Sequence, residues 1–296
     1  MASEAPSAPI VLLHGYWHGS WCWSEVAVEL AALGRSSVAV DMAGHGLNAP
    51  VPAAALADPF DPEQFATEPS ALAGMSLADV ADLLISQMKK AGGGHPCVLV
   101  AHSMGGPVAT RAAQQAPELF SHLVYLTAHM PASGVPVMTY VLDPEQAGGL
   151  LPAAMRADPM VVGAARIHPG SADSQYRSLL RQAFYHDVDP RVADSAIALL
   201  SCDAPLGLIT DSTELTARGW GSVPRTYIRC LLDYAIPLPL QDRFIAEADA
   251  AFPGNPTHVA DLESAHSPFL SMPDRVAGLV AAVGAAGPVA TGSPST

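Results

Sequence analysis

The sequence predicts an α/β domain: a mainly parallel sheet of about six strands, helices on both faces, and an inserted helical cap. Two observations predict the sheet, and a third predicts the cap. Short apolar runs alternate with helical patterns along most of the chain. A serine, an aspartate and a histidine, in that order, each follow the end of such a run. Residues 131–222 then interrupt the alternation with helical segments alone. With 296 residues, half of them hydrophobic, the chain suits one large domain with an insertion.

The first strand, near 9–13, is the run Ile10-Val11-Leu12-Leu13, and a helix over 22–33 follows it. The second, near 36–41, ends in the glycine turn Asp41-Met42-Ala43-Gly44-His45-Gly46, where Asp41 and His45 are read as turn-fixing rather than reactive. Residues 47–75 are rich in proline and alanine with little periodicity. They are expected to form a long loop, either a functional lid or a decoration without order. A helix over 77–91 leads to the third strand, 96–101, and a helix over 105–115 to the fourth, 122–128. Within the cap, Asp173–Tyr185 and Pro190–Ser201 are helical. Strands near 225–231 and 257–261, with helices over 240–251 and 272–285, complete the sheet. The expected divisions are 1–130 and 223–286 for the core, 131–222 for the cap, and a disordered tail over 287–296.

Chemistry concentrates at the strand ends. Ala101-His102-Ser103-Met104-Gly105-Gly106 follows Val98-Leu99-Val100 and reads as a sharp strand-to-helix turn with Ser103 at its apex. Such an elbow strains the apex residue and lifts its hydroxyl above the sheet. The small neighbours let strand and helix pass closely. The plainer alternative is a glycine turn that happens to hold a serine, and Ala101 stands where a glycine is usual. His102, beside the apex, is expected to pack. After the first strand, His14-Gly15-Tyr16-Trp17-His18-Gly19 is placed to supply a second oxyanion donor, so the backbone N–H groups of Tyr16 and Met104 form a candidate oxyanion hole. Each such donor contributes about 3–4 kcal/mol when tested by removal. His14 and His18 could instead be metal ligands, but no cysteine pair or nearby acid completes a site. Asp233, past the strand that ends at Leu231, and His266, in the loop Ser264-Ala265-His266-Ser267-Pro268, are the candidate acid and base. Singly, Asp233 could cap a turn and His266 could be one of eleven histidines. All three types in order at strand ends favour Ser103, Asp233 and His266 as a catalytic set.

Composition removes other classes. The net charge is −14 and lysine occurs only at Lys89 and Lys90, which disfavours nucleic acid and anionic membranes as partners. No apolar stretch approaches the ~20 residues of a membrane helix. Met1 to Pro9 shows no secretory pattern. Four scattered cysteines suggest neither a metal site nor a disulfide framework, so a cytoplasmic location is expected. No metal or organic cofactor is implied, and the oligomeric state is not readable.

Pro9 through Gly15, Gly19 through Trp23, Asp41 through Gly46, Ala101 through Gly106, Leu123 through Pro131, Trp220 through Ile228 and Asp233 through Pro237 together resemble the plant methylesterase and hydroxynitrile lyase family of α/β-hydrolases. The 47–75 insertion departs from the plant pattern and resembles bacterial members. The resemblance implies Ser103, Asp233 and His266 as triad and the Tyr16 and Met104 N–H groups as oxyanion hole. Similar lyases carry a threonine after the strand-end histidine and a lysine after the catalytic one. Here those positions are Gly15 and Ser267, which cannot bind a cyanohydrin or stabilise departing cyanide, so hydrolysis is expected. Gly15 and Trp17 are expected at the substrate. The implied substrate is a small-molecule carboxylic ester, with an aromatic, polyketide-like methyl ester of secondary metabolism leading. A ligand-binding protein or a biosynthetic cyclase on the same scaffold is the alternative.

Overall fold

In the computed structural model, which describes residues 8–283, six parallel strands form the main sheet. They are β1 (Ile10–Leu13), β2 (Ser37–Val40), β3 (Cys97–His102), β4 (Phe120–Leu126), β7 (Arg225–Cys230) and β8 (His258–Leu262). Between β4 and β7 the chain makes two further short strands, β5 (Ala164–Arg166) and β6 (Asp203–Pro205). The longer helices are α1 (Ser24–Ala32), α2 (Leu77–Gly92), α3 (Gly105–Gln115), α4 (Ser174–Phe184), α5 (Pro190–Ala198), α6 (Leu238–Ala251) and α7 (Pro273–Val283).

The strand order is β2-β1-β3-β4-β7-β8. Parallel strands covered on both faces read as continuous apolar runs, and β1 and β3 are buried throughout. The pleat divides each run between two cores. Ile10, Leu12, Val98, Val100, Val124 and Leu126 face one with Trp23, Phe269 and the buried residues of α7. Val11, Leu13, Leu99, Leu123 and Tyr125 face the other with α2, α3 and α6. The edge strands β2 and β8 are partly exposed. Helix α2 starts on a capping box, Ser76 with Asp79, and ends on Gly93 in the left-handed conformation with Lys89 and Lys90 in its last turn. Strand β4 stops at Leu126, two residues short of the expected limit, because Thr127 turns to a φ of 36°.

Two expectations need correction. The segment between β4 and β7 is not purely helical, because β5 and β6 pair antiparallel within it. Residues 47–75 are not a structureless loop either. Pro62–Thr67 forms a helix whose first N–H groups bond to the Asp61 carboxylate, and Ala53–Leu56 forms a 3-10 turn. This segment docks on β5 through Arg166, whose guanidinium pairs with Asp203 at 2.7 and 2.8 Å. The same group donates to the carbonyls of Phe65 and Glu68. The expected tail over 287–296 lies outside the described residues.

Candidate active site

A parallel sheet carries the C-terminal ends of all its strands to one edge, where such folds bind ligands. Ser103 follows β3 directly, Thr127 follows β4, Asp233 lies just past β7 and His266 just past β8. The loop from His14 to Gly19 follows β1. Ser103 adopts a φ of 52°, left-handed for a residue with a side chain. Its neighbours explain how the chain tolerates that. A Cβ on Gly105 would lie 2.7 Å from the His14 carbonyl oxygen, and one on Gly106 would strike the His129 carbonyl. Only glycine lets the helix start pass that close.

Ser103, Asp233 and His266 come together in space. His266 Nδ1 lies 2.7 Å from Asp233 Oδ2, a distance at which the ring N–H donates to the carboxylate. That tautomer leaves Nε2 as an acceptor, 3.0 Å from Ser103 Oγ. Asp233 is held by three further donors: the N–H groups of Ala235 and Ile236 on Oδ1, and the Thr127 hydroxyl on Oδ2. All three side chains are nearly buried. A hydroxyl, an imidazole and an anion so aligned can pass a proton from oxygen to nitrogen as the oxygen attacks an electrophile.

Tyr16 and Met104 both border the cavity above Ser103, and neither backbone N–H has a partner among the described residues. The cavity holds about 220 Å³ and is bounded chiefly by apolar side chains, among them Leu151, Met155, Phe184 and Ile209. Trp17 lines it. Gly15 does not, although a Cβ there would lie 2.5 Å from Ser103 Cβ, so its smallness makes room for the serine. No residue of 47–75 lines it.

The segment between β4 and β7 supplies about half of the residues lining this cavity, and its β5–β6 strand pair is tied to the loop after β1. Tyr16 donates its hydroxyl to the Pro205 carbonyl, Trp17 its indole N–H to the Ala165 carbonyl at 2.9 Å, and Ser201 its N–H to the Trp17 carbonyl at 2.7 Å.

Several histidines surround the site, and burial keeps them neutral. His18 and His129 are each pushed down to about 3 and His45 to about 4, chiefly by desolvation. His14 and His102 are lowered well below the ordinary imidazole value for the same reason. The rings of His14 and His18 are engaged with protein partners: His14 Nε2 accepts from the Met42 N–H, and His18 lies between the Tyr16 carbonyl and the Tyr185 hydroxyl. Asp41 accepts the Ser20 and Leu47 N–H groups, which fixes the turn after β2.

Sequence reasoning missed three residues here. His102 does more than pack, since its Nε2 lies 2.8 Å from the His266 carbonyl and steadies that backbone. Thr127 and His129 flank the site from the end of β4, which only the placement of β4 beside β7 reveals.

Comparison with known proteins places the fold. The sequence pattern of the alpha/beta hydrolase family matches residues 10–279. A pyrethroid hydrolase of Sphingobium wenxiniae is 30% identical over 272 residues, which cover 92% of this chain and 86% of that protein. A putative chloroplastic methylesterase of Arabidopsis thaliana, methylesterase 13, is 25% identical over 265 residues, 89% of this chain but only 53% of that protein's length. Among solved structures, a pyrethroid hydrolase from Sphingobium faniae superposes with a TM-score of 0.74 at 23% identity, covering 94% of this chain and 98% of the other. A polyneuridine aldehyde esterase superposes at 0.71 with 20% identity, covering 93% and 98%. At such identities the superpositions show a shared fold.

Proposed function

Because the chain belongs to the alpha/beta hydrolase family, we propose that it is a serine hydrolase cleaving a small-molecule carboxylic ester through an acyl-enzyme. The observation that carries this reading is the continuous relay Ser103–His266–Asp233, at 3.0 and 2.7 Å. Ser103 Oγ attacks the ester carbonyl while His266 Nε2 takes its proton. Asp233 holds the imidazole tautomer and stabilises its cationic form. The tetrahedral oxyanion rests on the Tyr16 and Met104 N–H groups, which are free to donate. His266 then protonates the departing alcohol, and water repeats the sequence to release the acid.

The segment 131–222 serves as the cap, with 1–130 and 223–286 as core. A lining this apolar suits a hydrophobic or aromatic ester, and a methyl ester of a polyketide-like acid is the leading substrate. The names of the relatives, methylesterases and a pyrethroid hydrolase, support ester cleavage. Among the described residues no helix is long and apolar enough to cross a membrane. Four free cysteines suit a reducing, cytoplasmic setting. Among the described residues no lysine or arginine lines the cavity to receive a departing cyanide, which favours hydrolysis over cyanohydrin lysis.

The test is labelling by a fluorophosphonate probe together with turnover of 4-nitrophenyl acetate. The native chain should do both and Ser103→Ala neither, with its fold intact by circular dichroism. An inert native protein would instead indicate a binding or non-hydrolytic role on this scaffold.

A further inference from the structure

The loop after β1 departs from relaxed backbone at one residue with a side chain. Trp17 adopts a φ of 61°, a left-handed conformation that a bulky residue keeps only where its surroundings enforce it. It follows Tyr16, whose backbone N–H is one of the two candidate oxyanion donors. The loop also lies against the nucleophile, since a Cβ on Gly15 would fall 3.1 Å from Ser103 Oγ. Whatever holds this turn therefore bears on the chemistry.

Tyr16 has three polar groups, and protein partners take two of them. Its hydroxyl donates to the Pro205 carbonyl, and its own carbonyl lies 2.8 Å from His18 Nδ1. A carbonyl only accepts, so His18 carries its proton on Nδ1 and donates it. That tautomer leaves Nε2 as an acceptor, and the Tyr185 hydroxyl, 2.7 Å away, donates to it. The His18 ring is gripped as well: Trp21 stacks on it, and Phe184 and Phe269 meet it edge-on. Burial keeps the ring neutral. Tyr185 follows α4, and its turn is tied down in its own right, because Asp187 Oδ2 accepts the Ala265 N–H at 2.8 Å beside His266.

We propose that His18 and Tyr185 are positioning residues, a hydrogen-bonded pair that holds the strained turn at Trp17 and so keeps the Tyr16 N–H aimed at the oxyanion. His18 acts through Tyr16, and Tyr185 acts through His18. This inference rests on the serine-hydrolase reading and its oxyanion hole.

The experiment compares Tyr185→Phe, His18→Asn and His18→Leu, with folding checked by circular dichroism. The readouts are 4-nitrophenyl acetate hydrolysis and inhibition by an aryl trifluoromethyl ketone. Ser103 Oγ adds to the ketone carbon and its proton passes to His266 Nε2, which leaves an anionic hemiketal oxygen for the oxyanion hole. An asparagine amide nitrogen can stand in for Nδ1 but does not reach Tyr185, so His18→Asn keeps the bond to Tyr16 and loses the other. Removing an oxyanion donor outright lowers kcat by about 100- to 1000-fold, and a donor left in place but poorly aimed should lose less. His18→Leu should therefore lower kcat by about 10- to 100-fold. Tyr185→Phe and His18→Asn should lose only about 3- to 10-fold, the worth of one ordinary hydrogen bond. KM should stay near native, and the inhibition constant of the ketone should rise in step with the loss in kcat/KM. Tyr185→Phe removes a single oxygen and decides the matter even where His18→Leu does not fold. Native kcat in Tyr185→Phe, losses confined to KM, or equal loss in His18→Asn and His18→Leu would overturn the proposal. A native chain that labels with a fluorophosphonate but cleaves no ester would end the esterase reading alone, and the labelling rates of the three variants would then decide this one. A native chain inert to ester, ketone and fluorophosphonate would overturn both.

Discussion

Replacing Thr127 by valine removes one hydroxyl and nothing else of consequence, since the two side chains have nearly the same shape. The Asp233 carboxylate accepts four hydrogen bonds: two backbone N–H groups on Oδ1, and the His266 ring N–H and Thr127 hydroxyl on Oδ2. Thr127 thus shares an acceptor oxygen with the imidazole. A hydrogen bond to a buried charge contributes about 1.5–3 kcal/mol. If that stabilisation aligns the relay, Thr127→Val should lower kcat/KM by about 10- to 100-fold, mostly in kcat. The assay is steady-state hydrolysis of 4-nitrophenyl acetate. Thr127 also sits at a φ of 36°, where a β-branched residue is strained by about 1–3 kcal/mol, and valine keeps this strain while serine eases it. Thr127→Ser should therefore retain activity. Native kinetics in Thr127→Val would refute the argument, and so would equal loss in both variants, which would assign the effect to packing rather than to the hydroxyl.

The other predictions concern space and protonation. Gly15→Ala places a Cβ 2.5 Å from Ser103 Cβ. The serine must shift, so kcat/KM should fall by roughly 100-fold while the variant still folds. Unchanged turnover in steady-state kinetics would show that the loop yields instead. Acid should unfold this protein early. His18, His45 and His129 have folded values of about 3, 4 and 3, below the unfolded imidazole, so they bind protons more readily once unfolded. Their contribution is whole above the unfolded pKa near ~6.5 and drains away as pH falls toward the folded values. At pH 5 that is about 2 kcal/mol each, together comparable to the ~5–15 kcal/mol stability of a domain. Melting followed by circular dichroism should show a Tm at least ~10 °C lower at pH 5 than at pH 7.5, and equal values would contradict the burial argument.

The sheet was legible because strands buried on both faces are apolar along nearly their whole length, as Ile10–Leu13 is and as Cys97–His102 is up to its final histidine. The positions of Ser103, Asp233 and His266 followed, since the residues after such runs share one edge of a parallel sheet. The β5–β6 strand pair left no comparable trace. Its strands are three residues each, and one of them contains Asp203 and Pro205, types that strands usually avoid. Their pairing depends on a buried Arg166–Asp203 contact between residues far apart in sequence. The helix at Pro62–Thr67 did carry a signal, an aspartate N-cap followed by proline, which the surrounding proline-rich composition obscured. Thr127 and His129 gave none, because their value arises from the neighbouring strand rather than from their own segment.

The bonds from Tyr16 to Pro205 and from Trp17 to Ala165 join the β5–β6 strand pair and the loop after β1 into a single mechanical part. On the proposed oxyanion hole, displacing that strand pair would drag the Tyr16 amide out of place, so β5 and β6 should stay seated through turnover. On the proposed reading, a wider substrate range is better sought at Val141, Leu151 or Pro159, which line the pocket, than by loosening β5 and β6.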